Sequence, residues 1–194
     1  MAYFPAFIKL DEISVLVVGG GYIAGEKIEK LLDFTDNITV VAPHFSKETQ
    51  KLVESAGLKV FNRPYEEGDI EGFGVVIVAV DDLQLQKRIY EACQSRHILC
   101  NSVDSVDYCD FIFPSYTKKG ALTVAFSTSG ISPSVAKYLR RAIERLIPDS
   151  IAEFLEEMKR LRSSLPKGKE RMKMLDEKAK IYIDKIFKKD IDVQ

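Results

Sequence analysis

The sequence predicts an α/β fold: a doubly wound parallel sheet, then a small strand-pair-and-helix segment, then a helical C-terminal region. Three observations carry that prediction. Apolar β-branched runs, Ser14-Val15-Leu16-Val17-Val18 and Gly74-Val75-Val76-Ile77-Val78-Ala79-Val80 among them, are apolar at nearly every position, as strands covered on both faces are. Stretches with helical spacing separate these runs, and strands alternating with helices build parallel sheets. After about Asp110 the alternation stops and a different pattern begins. The expected divisions are residues 1–112, 113–147 and 148–194.

Taken in order, Phe7-Ile8-Lys9-Leu10 reads as a short edge strand. The first buried strand ends abruptly in Gly19-Gly20-Gly21, and Ile23, Ile28, Leu31 and Leu32 then recur at helical spacing, predicting a helix over residues 23–33. A buried strand, a glycine turn and a helix N-terminus together make a site for a pyrophosphate. Gly19 permits the tight turn, Gly21 lets backbone approach the phosphates, and the small Ala24 allows close helix–strand packing. The helix supplies unpaired amides and a partial positive charge. Tyr22 and Ile23 lie on the same turn and would meet a dinucleotide through their backbone.

Residues 37–42 predict the second strand, and Ser46 is placed as N-cap of a helix carrying Leu52 and Val53. Residues 58–61 predict the third strand and residues 74–80 the fourth. Asp82 then caps a helix over residues 83–95, and residues 97–103 predict the fifth strand. Ligands of such sheets sit beyond the carboxyl ends of the strands. That rule adds Pro43 and His44, Val80 and Asp81, and Asn101 and Asp104 to the candidates. The second strand ends in Ala42-Pro43-His44, without the acidic residue that normally binds the ribose of NAD, which leaves NAD and NADP both open. His44 reads on general grounds as a surface or cofactor-edge residue. Position alone gives Asp104 either a proton-transfer role or a turn cap.

Residues 111–115 and 122–127 predict two further strands joined by a turn at Lys118-Lys119-Gly120. Ser132-Pro133 opens a helix whose apolar face carries Val135, Leu139, Ala142, Ile143 and Leu146. So small a segment has no core of its own, and it is expected to pack on the first domain or on a second subunit. Ser127, Thr128, Ser129 and Gly130 precede that helix, where hydroxyls and free amides suit a carboxylate or do ordinary capping work. Ser150 with Glu153 fits a capping box for the next helix, with Ile151, Phe154, Leu155, Met158 and Leu161 as its stripe. Residues 163–168 read as a linker before a last amphipathic helix carrying Met172, Leu175, Ile181, Ile183 and Ile186.

Bulk properties narrow the function. A net charge of −1 over 194 residues argues against a general nucleic-acid binder. No apolar run is long enough to span a bilayer, and the N-terminus lacks the pattern of a secretory signal, so the expected location is the cytoplasm. Cys93, Cys100 and Cys109 with His44 and His97 form no recognisable metal motif and no disulfide framework.

Gly19-Gly20-Gly21-Tyr22-Ile23-Ala24, then Asn101-Ser102-Val103-Asp104, then Phe113-Pro114-Ser115 ahead of Ala125-Phe126-Ser127-Thr128-Ser129-Gly130-Ile131-Ser132-Pro133, resemble in order and spacing the precorrin-2 dehydrogenase family. That family includes the N-terminal part of bacterial sirohaem synthase and a bifunctional yeast dehydrogenase/ferrochelatase. The resemblance covers most of the chain, including Phe4-Pro5-Ala6-Phe7 and the helical tail. It implies a Rossmann-like domain that uses NAD to oxidise the tetrapyrrole precorrin-2 to sirohydrochlorin, with some members also inserting Fe2+. It implies Asp104 as the catalytic residue, and a homodimer formed through the segment after the first domain. Lys118, Lys119, Lys137, Arg140 and Arg141 are candidates for the substrate's carboxylates by proximity in sequence. Two other readings stand beside it: a non-catalytic nucleotide-sensing module, and a Rossmann oxidoreductase acting on another small substrate.

Overall fold

The computed structural model describes residues 3–103 and 105–188, which fall into two compact units divided between Ile112 and Phe113. The first unit contains β1 (Val15–Val18), α1 (Tyr22–Leu32), β2 (Ile38–Val41), α2 (Lys47–Ser55), β3 (Lys59–Phe61), β4 (Val75–Val78), α3 (Leu83–Ser95) and β5 (Leu99–Ser102). The sheet runs in the order β3-β2-β1-β4-β5, and every pair is parallel. β1, β2 and β4 are buried at every position, which explains their unbroken apolar sequences. In register, Val18 lies level with Val41 on one side and Val78 on the other. The strand order reverses at β1, so the glycine run leaves the sheet at its switch point, where such folds bind their ligands.

Two helix starts follow the sequence closely. Ser46 accepts from the Thr49 amide at 3.1 Å, and Asp82 accepts from the amides of Gln84 and Leu85 at 2.9 and 3.1 Å. The edge strand expected over residues 7–10 is not formed; Phe7 and Ile8 are exposed and no strand pairs with them. Between β3 and β4 a single turn of 3-10 helix, Glu67–Ile70, plants Ile70 in the core. Asp69 holds that turn: it takes a two-pronged bond from Arg63, at 2.8 and 2.5 Å, and accepts from the Glu66 amide at 2.8 Å. The Arg63 guanidinium keeps the Asp69 carboxyl below its ordinary range. A depressed carboxylate stabilises the fold above its unfolded pKa, and the contribution is lost as the pH falls through the folded value. Asp69→Asn is therefore expected to cost about 1–3 kcal/mol at neutral pH. Chemical denaturation across pH should show the gap to wild type closing below about pH 4.

The second unit begins with an antiparallel pair, β6 (Ser115–Lys119) and β7 (Leu122–Phe126), followed by α4 (Pro133–Leu146), α5 (Ile151–Ser164) and α6 (Lys169–Lys188). Here the sequence expectation shifts. Residues 111–114 are not strand, and Lys118 and Lys119 lie within β6 rather than in the turn. The turn is made by Gly120, at φ +59°, with Ala121. Lys119 keeps its strand position because its ammonium bonds the Ile147 carbonyl at 2.6 Å and Asp149 at 2.7 Å, tying β6 to the end of α4.

Ser132 caps α4 with Pro133 in its first turn. Ala136 is the buried residue of that helix, while Val135, Leu139 and Leu146 of the expected apolar face stay exposed. The capping box at Ser150 does not form. Ser150 has helical backbone and its hydroxyl pairs with the Tyr182 hydroxyl at 3.0 Å. Tyr182 also stacks on Phe154, 3.8 Å between ring centres, and Lys178 meets Glu157 at 2.6 Å, so α5 and α6 pair through an aromatic stack and an ion pair. α5 includes Ser163 and Ser164, which shortens the expected linker. Met172 and Ile181 of α6 are exposed. Among the described residues no helix is long and apolar enough to cross a membrane.

Candidate functional site

The three glycines after β1 play three different parts. Gly19 has φ +125°, a conformation side chains rarely tolerate, and a Cβ there would collide with the Ala79 carbonyl. Its amide bonds the Val41 carbonyl at 2.9 Å, while Ala79 donates to Val18 at 2.8 Å, so the loops after β1 and β4 are drawn together. Gly20 is hemmed in by the loop after β2: a Cβ would strike the His44 carbonyl, and Ser46 donates to the Gly20 carbonyl at 2.8 Å. Gly21 differs, because a Cβ on it would meet nothing within 4 Å. The protein itself needs the first two glycines, whereas the third leaves open space in front of a helix.

Gly21 is the N-cap residue of α1, gives no side-chain cap, and no acidic residue stands in the first turn. The first amides of a helix have no partner within it, and no acidic side chain in the first turn of α1 answers the helix dipole. An open cradle of glycine backbone facing uncapped amides suits a phosphate group, so the residues present fit a dinucleotide. Around it the structure brings Tyr22 and Ile23 (both exposed), Pro43 and His44 (exposed, after β2), and Val80 and Asp81 (after β4) to the carboxyl edge of the same sheet. Buried Gln86 donates to the Val80 carbonyl at 2.6 Å and steadies that loop from α3. As the sequence indicated, Ala42-Pro43-His44 supplies no carboxylate for a ribose.

Ala24 is fully buried, yet the tighter constraint falls on its neighbour. A Cβ on Gly25 would lie 2.5 Å from the Thr49 hydroxyl, so Gly25 sets how closely α1 and α2 approach. Sequence reading missed Gly20, Gly25, Thr49 and Gln86. The small pair Ala24-Gly25 on the inner face of α1 is the signal that would have revealed the second of these.

At the end of β5, Asn101 is not a surface group. It is 6% exposed, and its amide donates to the Phe111 carbonyl at 2.7 Å. Asn101, a substrate-contact candidate in the sequence, thereby fastens the returning segment, which Asp110 also secures by accepting from the Cys100 amide at 2.8 Å. The thiol of Cys109 donates to the carbonyls of Ser102 and Ser105 at 3.0 and 3.1 Å. Burial pushes the Cys109 thiol upward, and the neighbouring thiol of Cys93 together with burial does the same to Cys100. All three cysteines are free, and among the described residues no group of three His, Cys, Asp or Glu side chains could hold a metal ion. Asp104, the catalytic candidate, lies outside the described residues.

In the second unit, Ser127, Thr128, Ser129 and Gly130 form the loop before α4. Ser129 and Gly130 are consecutive left-handed residues, at φ +52° and +81°. The Ser127 hydroxyl accepts from the Ser129 amide and Thr128 from the Ser132 amide, both at 3.0 Å, so these side chains shape the loop while Ser129 and Gly130 face outward. Of the cations proposed from sequence, Lys119 is committed to Ile147 and Asp149, and Arg140 to Glu144 at 2.7 Å. Lys137 and Arg141 are exposed on α4.

Residues 6–115 match a family model described as "Putative NAD(P)-binding". Among curated proteins, the chain is 37% identical over 152 residues to a sirohaem synthase of Pseudoalteromonas atlantica, covering 78% of this chain and 33% of that protein. A sirohaem synthase of Zymomonas mobilis is 32% identical over 187 residues, 96% of this chain and 39% of that protein. The chain thus spans about a third of the length of these curated relatives. Among solved structures, SirC, a precorrin-2 dehydrogenase, superposes with a TM-score of 0.74 at 29% identity, covering 90% of this chain and 88% of that one.

Proposed function

The chain belongs to the NAD(P)-binding family whose model it matches, and from its similarity to sirohaem synthases and to SirC, a precorrin-2 dehydrogenase, we propose that it oxidises precorrin-2 to sirohydrochlorin with NAD as acceptor. Bound NAD would take up a hydride from the substrate, and one proton is released as NADH and sirohydrochlorin form. The observation that carries the reading is the open Gly21 cradle in front of an uncapped α1, at the switch point of a parallel sheet. In that arrangement Gly21, Tyr22 and Ile23 meet the pyrophosphate through backbone, Gly19 makes the tight turn and Ala24 the close helix packing that shape the cradle, and Pro43, His44, Val80 and Asp81 lie along its edges. Asp104 is proposed to accept the proton lost from the substrate. Ser127, Thr128, Ser129 and Gly130 are proposed to receive its carboxylates.

The test is NADH formation on adding precorrin-2 to the full chain and NAD. A nucleotide-sensing module would bind NAD and produce none. Ferrous iron, as a co-substrate of a second, chelating step, calls for a separate assay with sirohydrochlorin and Fe2+, in which metal insertion is followed by absorbance. The cytoplasm is proposed as the compartment of the reaction.

The tetrapyrrole is rich in carboxylates, so the cations still facing solvent matter. Lys137→Glu and Arg141→Glu are each expected to raise the KM for precorrin-2 by about fivefold or more, from lost attraction plus new repulsion. Lys119→Gln should instead lower the melting temperature, because its ammonium holds β6 to the end of α4. Steady-state kinetics beside thermal melts separate the two classes. We further propose that residues 113–147 form the dimerisation segment and residues 148–194 a helical domain, with exposed Val135, Leu139 and Leu146 of α4 covered in a homodimer.

A further inference from the structure

We infer that Thr49 is a positioning residue for the dinucleotide cradle, acting from behind through the peptide that joins Gly21 to Tyr22; this rests on the reading of residues 19–24 as that cradle. Thr49 lies in the first turn of α2 and is 1% exposed. Its hydroxyl donates to the Gly21 carbonyl at 2.9 Å, across 28 residues of sequence. It in turn accepts from the Ser46 hydroxyl at 2.9 Å, and the Ser46 oxygen accepts from the Thr49 amide at 3.1 Å. Ser46 also donates its own amide to the Gly20 carbonyl at 2.8 Å. The first turn of α2 therefore grips two successive carbonyls of the glycine loop.

The consequence follows from the planarity of the peptide bond. The Gly21 carbonyl and the Tyr22 amide belong to one rigid plane, and the Tyr22 amide is the first free donor of α1. The same carbonyl accepts from the Gly25 amide at 3.1 Å, so two donors on one oxygen fix the tilt of that plane. Whatever fixes the carbonyl aims the amide toward the phosphate. Gly25 belongs to the same device: any larger residue would press against the Thr49 hydroxyl, 2.5 Å from where its Cβ would sit. A glycine inside a helix costs about 0.5–1 kcal/mol, and a local rule broken in this way is common beside functional sites.

The experiment compares Thr49→Val, of the same shape without the hydroxyl, with Thr49→Ser, which keeps it. NAD and NADP affinities are read by calorimetry on the full chain. Hydrogen exchange at the Gly25 amide, which bonds the same Gly21 carbonyl, is read without cofactor. Thr49→Val is expected to raise the cofactor Kd about five- to tenfold and to speed exchange at Gly25, with kcat at saturating NAD unchanged. Thr49→Ser should restore both to within about twofold of wild type, whereas a packing role for the threonine methyl would give no such rescue. If Thr49→Val does not fold, Thr49→Ala replaces it as the hydroxyl-free variant. Equal Kd values for wild type and the hydroxyl-free variant overturn the inference alone. Failure of wild type to bind either dinucleotide overturns the cradle reading and the inference with it.

Discussion

Gly21→Ala is expected to abolish measurable NAD binding at concentrations that saturate wild type while leaving the melting temperature almost unmoved. Gly21 has φ −74°, which alanine adopts without strain, and its added methyl would meet no protein atom within 4 Å. The change in stability should stay within about 0.5 kcal/mol, as for an ordinary surface substitution. The methyl would instead fill the space in front of the α1 amides, where a phosphate must come within hydrogen-bond distance of backbone. Gly19→Ala should behave in the opposite way. At φ +125° and against the Ala79 carbonyl, it is expected to cost more than about 3 kcal/mol and to reduce the yield of folded protein. Calorimetric NAD titration and thermal melts on both variants check the contrast. Loss of stability in Gly21→Ala, or wild-type NAD affinity in it, would show that the third glycine serves the fold and not the ligand.

The second large effect concerns Asp104. Asp104→Ala and Asp104→Asn are each expected to lower kcat by about 10²- to 10⁴-fold, the range for loss of a positioned general base, with the Kd for NAD unchanged. The two substitutions differ in what they leave behind. Asparagine keeps the shape and polarity of the side chain but cannot accept the proton, so an equal loss in both points to proton transfer and not to packing. Turnover at the wild-type rate in either variant would remove Asp104 from the mechanism.

What the sequence made legible was the part of the fold in which local signal and burial agree. β1, β2 and β4 read clearly because both faces of each are covered, and the two side-chain helix caps at Ser46 and Asp82 read clearly because capping is a local interaction. The misplaced elements are those decided by distant partners. Lys118 and Lys119 look like turn residues, yet β6 carries them because Lys119 reaches the end of α4, 28 residues on. Ser150 and Glu153 have capping-box spacing, but Tyr182 claims the serine hydroxyl. Asn101 stands at a ligand-side position in the topology, and its amide is spent on Phe111.

The site divides in the same way. The glycine run announced a phosphate cradle, because its conformational demands are written in consecutive residues. Which glycine serves the chain and which serves the ligand depends on what lies across from each: Ala79 for Gly19, His44 for Gly20, and open space for Gly21. Thr49, an unremarkable helix residue in sequence, gains its role only when α2 is laid against α1.

The most direct test of the central claim follows a labelled hydrogen. Precorrin-2 carrying deuterium at the carbons that lose hydrogen is incubated with the wild-type chain and NAD, and the products are examined by mass spectrometry. The account predicts sirohydrochlorin and NADH in equal amounts, with deuterium recovered in the NADH. Sirohydrochlorin formed at the same rate without NAD, or NADH free of deuterium at every labelled position, would contradict it.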